Sequence, residues 1–280
     1  MRIVYYAIGG GLGHLVRARA FLHTLNLCGD AVVVTASDYA HDARVVGNLE
    51  VLVAPKALDA HPVRFRTWLL NELARLRPDC LCIDAFPAGI LGELCDLPRL
   101  DVEYWHVARL LRWNEYQRQL AGECPHFRRV FRVESLTPMH QQFLERHCDR
   151  IEDLALSDPP AELPIDAADP YWLIVHSGPA AEVAELIAYA DEVRKEENTA
   201  VPLLVITSNA PDRLPAGTRV VDVYPAMPYF AAAQRIFSAA GFNVMRQTAP
   251  WRAKQRVMPM ERRFDDQFAR AAAGVSHAAG

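Results

Sequence analysis

The chain has 280 residues, 51% hydrophobic and 23% charged, with a formal net charge of −4 at pH 7. That length can bury one large core or two modest ones, with two domains favoured. The ordinary balance excludes a disordered or fibrous chain, and the charge excludes a general attraction to nucleic acid or anionic lipid.

No apolar run reaches bilayer-spanning length, and the first residues lack the basic-plus-apolar layout of a signal peptide, so a cytoplasmic protein is expected. The six cysteines, Cys28, Cys80, Cys82, Cys95, Cys124 and Cys148, form no CxxC pair. They read as buried free thiols rather than a metal site.

Residues 2–8 are an apolar strand that breaks into Gly9-Gly10-Gly11-Leu12-Gly13-His14, and residues 15–22 follow as a helix. A glycine-rich turn lets backbone N–H groups approach a ligand, and a helix N-terminus favours negative charge. Such a turn grips phosphate, with His14 at its mouth; tight strand–helix packing is the alternative use of the glycines. A Walker-type loop is excluded, because no Gly-Lys-Ser/Thr ending follows. A dinucleotide fingerprint starting at Gly9 would need glycine where His14 stands.

Further on, Ala31–Thr35 and residues 51–53 are strands, and residues 68–77 form a helix with Trp68, Leu69, Leu73 and Leu76 on one side, stopped by Pro78. Cys80–Asp84 is another buried strand. The alternation predicts parallel strands joined by crossover helices. Asp84, at the strand end, reads as a cap of the next turn, with a second catalytic base as the other reading. Residues 106–120 read as solvated arginines over inward Leu110, Leu111, Trp113 and Leu120. A basic helix for an acceptor or a membrane surface is the alternative there.

Four prolines between residues 157 and 170 cannot sustain a helix or central strand, so this stretch is a linker between domains at 1–156 and 171–280. The pattern then restarts. Residues 171–175 form a strand, His176-Ser177-Gly178-Pro179 a turn, and 181–194 a helix. Strands follow at 201–207 and 220–224, a short helix at 227–233, and residues 234–238 lead into Ala239-Ala240-Gly241-Phe242-Asn243. An α/β protein is predicted, with two Rossmann-like domains facing across a cleft and ligands outside the carboxyl ends of the strands.

Taken together, these loops resemble the GT-B glycosyltransferases, in the branch that adds N-acetylglucosamine to the lipid-linked peptidoglycan precursor. Members of that family open with a strand and a glycine-rich turn ending in histidine, here residues 9–14. Their second domain carries a Ser-x-x-Gly turn and helix for the sugar nucleotide, here Ser238 to Asn243. A proline-containing strand and an acidic–glutamine motif follow, here Val257-Met258-Pro259 and Asp265-Asp266-Gln267. Residues 101–156 carry none of the resemblance. The chain departs from the pattern at Gln247, where the family often has a ribose-binding glutamate. It departs again at residues 250–255, which replace a Gly-x-Pro turn, and after Gln267, where little chain remains for terminal helices.

The resemblance implies metal-independent, inverting transfer of a hexose such as N-acetylglucosamine from a UDP-linked donor. No cofactor is implied, and the acceptor is unnamed. A lipid-linked acceptor, with peripheral contact at the inner membrane face, is one option. His14 suits the base, since its unperturbed pKa lies near physiological pH and a position at a helix N-terminus favours neutral imidazole; phosphate or acceptor positioning, or a structural hydrogen bond, is its alternative role. Gly11, Gly13, Ser177, Gly178, Ser238, Gly241, Asn243, Gln247, Asp266 and Gln267 would hold the donor. Helix N-termini would face the diphosphate, and Asp266 and Gln267 the sugar hydroxyls, which makes 1–156 the acceptor-side domain and 171–280 the nucleotide-sugar-binding domain. Rival readings are a nucleotide-sugar 2-epimerase, which needs further carboxylates around the sugar, and a non-catalytic nucleotide-sugar-binding partner protein.

Overall fold

Apolar runs without polar alternation demand sheets covered on both faces, and each half of the chain builds one. The computed structural model describes residues 1–58, 61–98, 100–162 and 170–276. Residues 163–169 of the expected linker lie outside these. The chain divides into two compact units, Met1–Pro159 and Pro160–Gly280.

In the first unit, strands β1 (Ile3–Ala7), β2 (Ala31–Thr35), β3 (Glu50–Val53), β4 (Cys80–Asp84), β5 (Glu103–Ala108), β6 (Arg129–Arg132) and β7 (Ile151–Asp153) form one sheet, ordered β3-β2-β1-β4-β5-β6-β7. All its pairings are parallel. Strands β1, β2 and β4 are buried at every position, as their unbroken apolar sequences require. Helices α1 (Leu12–Thr24), α2 (Ala43–Val46), α3 (Pro62–Leu76), α4 (Trp113–Gln117) and α5 (Pro138–Arg146) lie between the strands in sequence.

Helix α1 buries Leu15, Val16, Ala18, Phe21 and Leu22. The Phe21 ring lies 5.4 Å from that of Tyr5 and 5.1 Å from that of Phe131. Each such buried side chain contributes about 1.5–3 kcal/mol before chain entropy is subtracted. Helix α3 starts at Pro62 rather than at 68, because a first-turn proline lacks only an N–H that would be unpaired anyway. Its inward stripe is Phe65, Leu69, Leu73 and Leu76. Trp68 stands half-buried beside Phe65, off that stripe.

Residues 106–120 do not form one amphipathic helix. His106 belongs to β5, and only Trp113–Gln117 is helical. Leu111 and Trp113 are buried, while Leu110 and Leu120 are half-buried. The extended basic helix that an acceptor or membrane surface would meet is therefore not formed.

The second unit pairs β8 (Trp172–Val175), β9 (Leu203–Ile206), β10 (Thr218–Val221), β11 (Arg235–Ser238) and β12 (Gln255–Val257) in the order β10-β9-β8-β11-β12, again parallel. Its helices are α6 (Ala180–Glu196), α7 (Phe242–Gln247) and α8 (Gln267–Ser276). Alternate residues of β8 serve opposite faces. Trp172 and Ile174 pack with Val183, Leu186 and Ile187, whereas Leu173 packs with Tyr229 and Phe230. The expected helix at 227–233 shrinks to one 3₁₀ turn, Met227–Tyr229, and β10 ends before the expected Tyr224. The expected strand at Val257-Met258-Pro259 ends at Val257, since Pro259 has no N–H for the ladder.

Each sheet reverses its strand order once, between β1 and β4 in the first unit and between β8 and β11 in the second. Crossovers leave on opposite faces there, which opens a crevice at the carboxyl ends. The registers Tyr6↔Ile83 and Val175↔Ser238 bring the turns that follow each strand pair side by side.

Candidate active site

At the first crevice the chain leaves β1 and enters α1 with Gly11 as its extended N-cap, φ −97°. No side chain caps this helix and its first turn holds no acidic residue, so nothing in that turn neutralises the positive end of the dipole. A Cβ at Gly10 or Gly11 would meet nothing within 4 Å. At Gly9 it would overlap the His14 ring and stand 2.6 Å from Nε2. Gly9 is thus the residue that lets the imidazole fold back over the turn. Gly11 and Gly13 are exposed.

Three residues along the helix from His14, Arg17 sits on the same face. Both converge on Asp84, the last residue of β4. His14 Nδ1 lies 2.6 Å from Asp84 Oδ2. Arg17 donates from Nε to Oδ1 and from Nη2 to Oδ2, each at 2.6 Å, and the Tyr5 hydroxyl donates to Oδ1 at 2.9 Å. The Asp84 carboxylate therefore does not cap the next turn, which corrects the expectation from sequence. The chain leaves it through Ala85 in the left-handed region, φ 60°, an unfavourable conformation for a residue with a Cβ.

Burial alone would push the Asp84 carboxyl up. The Arg17 charge, helped by the His14 and Arg17 hydrogen bonds, outweighs it and holds the group well below the usual carboxylate range. With Asp84 ionised, Nδ1 of His14 carries the proton and donates it, which leaves Nε2 as a lone-pair acceptor. Among the described residues no protein group bonds Nε2. The His14 side chain is 14% exposed and that of Asp84 is 0% exposed. Burial pushes the His14 pKa down; Asp84 pulls it up, while the Arg17 and Arg109 charges push down again. The net shift is below the ordinary 6.5, so the ring is neutral at physiological pH. The arrangement is a neutral base, fixed in tautomer and orientation by a carboxylate that cannot itself take the proton.

A wall of aromatics stands beside it. The Phe86 ring is 5.9 Å from His14 and 5.3 Å from Tyr116. The Tyr116 hydroxyl donates to Gly89 O at 2.8 Å and accepts from Ala88 N at 3.0 Å. Farther along the same sheet edge, a depression of about 750 Å³ is lined by Arg132, Glu134, Ser135, Gln141 and Asp153, among others. Among the described residues no group of three or more His, Cys, Asp or Glu is placed to hold a metal ion.

In the second unit the turn after β8 is clamped from three sides. His176 Nε2 lies 2.7 Å from Glu182 Oε2, Arg262 Nη1 donates to Glu182 Oε1 at 2.7 Å, and Asn209 Nδ2 donates to Gly178 O at 3.0 Å. A Cβ at Gly178 would overlap His176 and stand 2.7 Å from Glu182 Oε2. Ser177 is exposed at the start of the long helix α6.

The turn after β11 is held by α8. Gln267 Oε1 accepts from Ala240 N at 3.2 Å and Met260 N at 3.0 Å, and Arg270 Nη1 donates to Ala240 O at 2.9 Å. The structure thus unites the expected Ser238–Asn243 and Asp265–Gln267 segments. Gln267 is buried with its oxygen engaged inside the protein, Ser238 Oγ accepts from Gln255 Nε2 at 2.7 Å, and Asp266 Oδ1 accepts from Ala269 N at 3.0 Å in the first turn of α8. These residues shape the turn. Gly241, Asn243 and Gln247 are half-buried on it, Gln247 closing the six-residue α7.

The sequence pointed to His14 but missed Arg17, Tyr5, His176, Glu182 and Arg262. The one legible signal was Arg17, a charge flanked by the apolar Leu15, Val16 and Ala18.

No protein-family model matches the chain, and no curated protein matches it. Solved structures do. The glycosyltransferase SnogD from Streptomyces nogalater is 17% identical with a TM-score of 0.59, over 100% of this chain and 92% of that one. The spinosyn rhamnosyltransferase SpnG, complexed with thymidine diphosphate, is 12% identical with a TM-score of 0.63, over 100% and 85%. The calicheamicin glycosyltransferase CalG4 is 16% identical with a TM-score of 0.59, over 99% and 84%. Likeness at this identity concerns the fold, and the fold is of the GT-B type. These neighbours do not single out the peptidoglycan-precursor branch that the motifs resemble.

Proposed function

We propose that this protein is a glycosyltransferase that moves a sugar from a nucleotide-sugar donor to an acceptor hydroxyl, with His14 as general base. The His14–Asp84 pair at the switch point of the first sheet carries this reading, and the likeness of fold to SnogD, SpnG and CalG4 supports it.

The acceptor hydroxyl donates to His14 Nε2. As its oxygen attacks the anomeric carbon, the proton passes to Nε2 and the bond to the leaving diphosphate breaks, with inversion. Asp84, kept ionised by Arg17, stabilises the imidazolium that forms. The uncapped start of α1 at Gly11 and Gly13 suits the developing negative charge. In the second unit Ser177, Gly178, Gly241, Asn243, Gln247 and Asp266 are the proposed donor contacts, with Ser238 and Gln267 behind them. The depression along β6 and β7 offers room for an acceptor. UDP-N-acetylglucosamine is the first donor to try. The thymidine diphosphate in the SpnG complex puts dTDP-sugars beside it.

Calorimetric titration with UDP-, dTDP- and GDP-sugars tests the donor, and turnover tests the base. One sugar nucleotide should bind selectively. His14→Ala should keep that affinity and lose about a hundredfold or more in turnover. Binding of none of them, or unchanged turnover in His14→Ala, would refute the assignment.

A further inference from the structure

Two of the six cysteines lie against each other. After β4 the chain runs to Cys95 and Asp96, and it returns beyond α4 through residues 118–124. Asp96 N donates to Glu123 O at 2.8 Å, and Glu123 N donates to Asp96 Oδ1 at 2.8 Å. Pairing of 96 with 123 leaves Cys95 and Cys124 as flanking neighbours, close enough for each thiol to shift the ionisation of the other. The backbone amides of Gly122 and Ala121 favour the ionised form of the Cys95 sulfur.

Two glycines permit this approach. A Cβ on Gly92 would come within 3.1 Å of Gln119 O and 3.8 Å of Cys95 Sγ, and one on Gly122 would overlap the Asp96 carboxylate. Cys95 is 3% exposed, but it is covered by a loop whose Ala121 and Glu123 are exposed and whose Cys124 is half-buried. Opening of that short loop uncovers the sulfur without disturbing the sheet.

The other thiols are unlike this pair. Cys80 and Cys82 lie inside β4, where burial pushes them up, and burial also raises Cys28 and Cys148. Cys95 is brought down to about 7, first by the Cys124 hydrogen bond and then, against burial, by the Gly122 and Ala121 amides. Cys124 moves up, chiefly through the same bond. A thiol shifted down beside a neighbour shifted up has the asymmetry of an attacking and a resolving cysteine.

We propose that Cys95 and Cys124 form a reversible disulfide, a modification site that hydrogen peroxide oxidises and small thiols restore. The Cys95 thiolate attacks one peroxide oxygen, the O–O bond breaks, and the departing hydroxide takes a proton to become water, leaving a sulfenic acid. The Cys124 sulfur then attacks the Cys95 sulfur, the S–O bond breaks, and a second water leaves with the Cys124 proton as the S–S bond forms. Two thiols and one peroxide give one disulfide and two waters. The bond ties the segment after β4 to the segment after α4. Tyr116 of α4 already bonds the first of these segments at Ala88 and Gly89, beside the Phe86 wall of the His14 site.

The test uses the full chain. After peroxide treatment, remaining thiols are alkylated under denaturing conditions and peptides are mapped by mass spectrometry without reductant. One linked pair, Cys95 with Cys124, is expected, lighter by two hydrogens and released by dithiothreitol, with the other four cysteines alkylated. In Cys124→Ser the Cys95 sulfenic acid should persist and be trapped by dimedone, while Cys95→Ser should give no adduct at Cys124. Amide exchange in residues 85–98 of the oxidised wild type should slow several-fold. Both thiols remaining alkylatable, a link to any other cysteine or between chains, or over-oxidation without a link would overturn the proposal. The wild-type map decides even if a variant fails to fold.

Discussion

At Asp84, four hydrogen bonds from Tyr5, His14 and Arg17 meet two carboxylate oxygens from which water is excluded. Removing one member of a buried ion pair leaves the other charge uncompensated, at about 3–5 kcal/mol. Asp84→Ala should therefore lower unfolding stability by about that amount in urea titrations. The double variant Arg17→Met/Asp84→Asn should lose much less than its two single variants combined, and simple additivity would show that the charges are not coupled. The same geometry sets a pH profile. A base works in its neutral form, and the His14 pKa is shifted below 6.5. Turnover should thus be flat through neutrality and fall only as the pH drops below that value; an acid limb centred above 6.5 would contradict the burial argument. His14 was legible because an imidazole after a glycine turn is chemically conspicuous. The Asp84 carboxylate was misread as a cap because its partners stand 67 to 79 residues away in sequence, beyond any local pattern.

Elements whose hydrophobic period was unbroken could be read directly, and Ala31–Thr35 and Cys80–Asp84 fall where their apolar runs place them. Strands β6 and β7 could not. They have four and three residues, and Arg129, Arg132, Glu152 and Asp153 interrupt the apolar signal, because the far edge of this sheet is only half covered. Strand β5 is longer, but it opens on the exposed Glu103 and carries His106 within its buried run. The glycine turn before α1 was legible as a turn, but the separate duty of each glycine was not. Only the folded chain shows that Gly9 yields its space to the imidazole while Gly10 and Gly11 face open ground. Gly9→Ala should consequently keep its circular dichroism spectrum yet lose about as much turnover as a base deletion, roughly a hundredfold. Gly10→Ala, with free space for its methyl group, should retain far more activity. Equal activity in the two variants would show that the ring does not need the room at Gly9.

Over the whole chain, two sheets carry two cores, and each unit has its own strand reversal. Cores of this kind unfold as separate cooperative units, so calorimetry should resolve two transitions. Leu173→Ala, a truncation at a fully buried site of the second core, should cost about 2–5 kcal/mol and lower only one of them. A single transition displaced as a whole would mean that the units unfold together. Tandem α/β organisation was visible in the restart of the strand pattern after the prolines. The side-chain contacts that brace the turns of each unit were not, since they join residues far apart in sequence. Tyr5, Arg17 and Asp84, which set the state of His14, all belong to the first unit. The turns at 176–179 and 239–241 take their supports from Glu182, Asn209, Gln267 and Arg270 of the second. Under the proposed function, the half that handles the proton and the half that would bind the donor can drift at different rates in evolution. A recombination joint near Pro160 would then pair one base with a library of donor preferences.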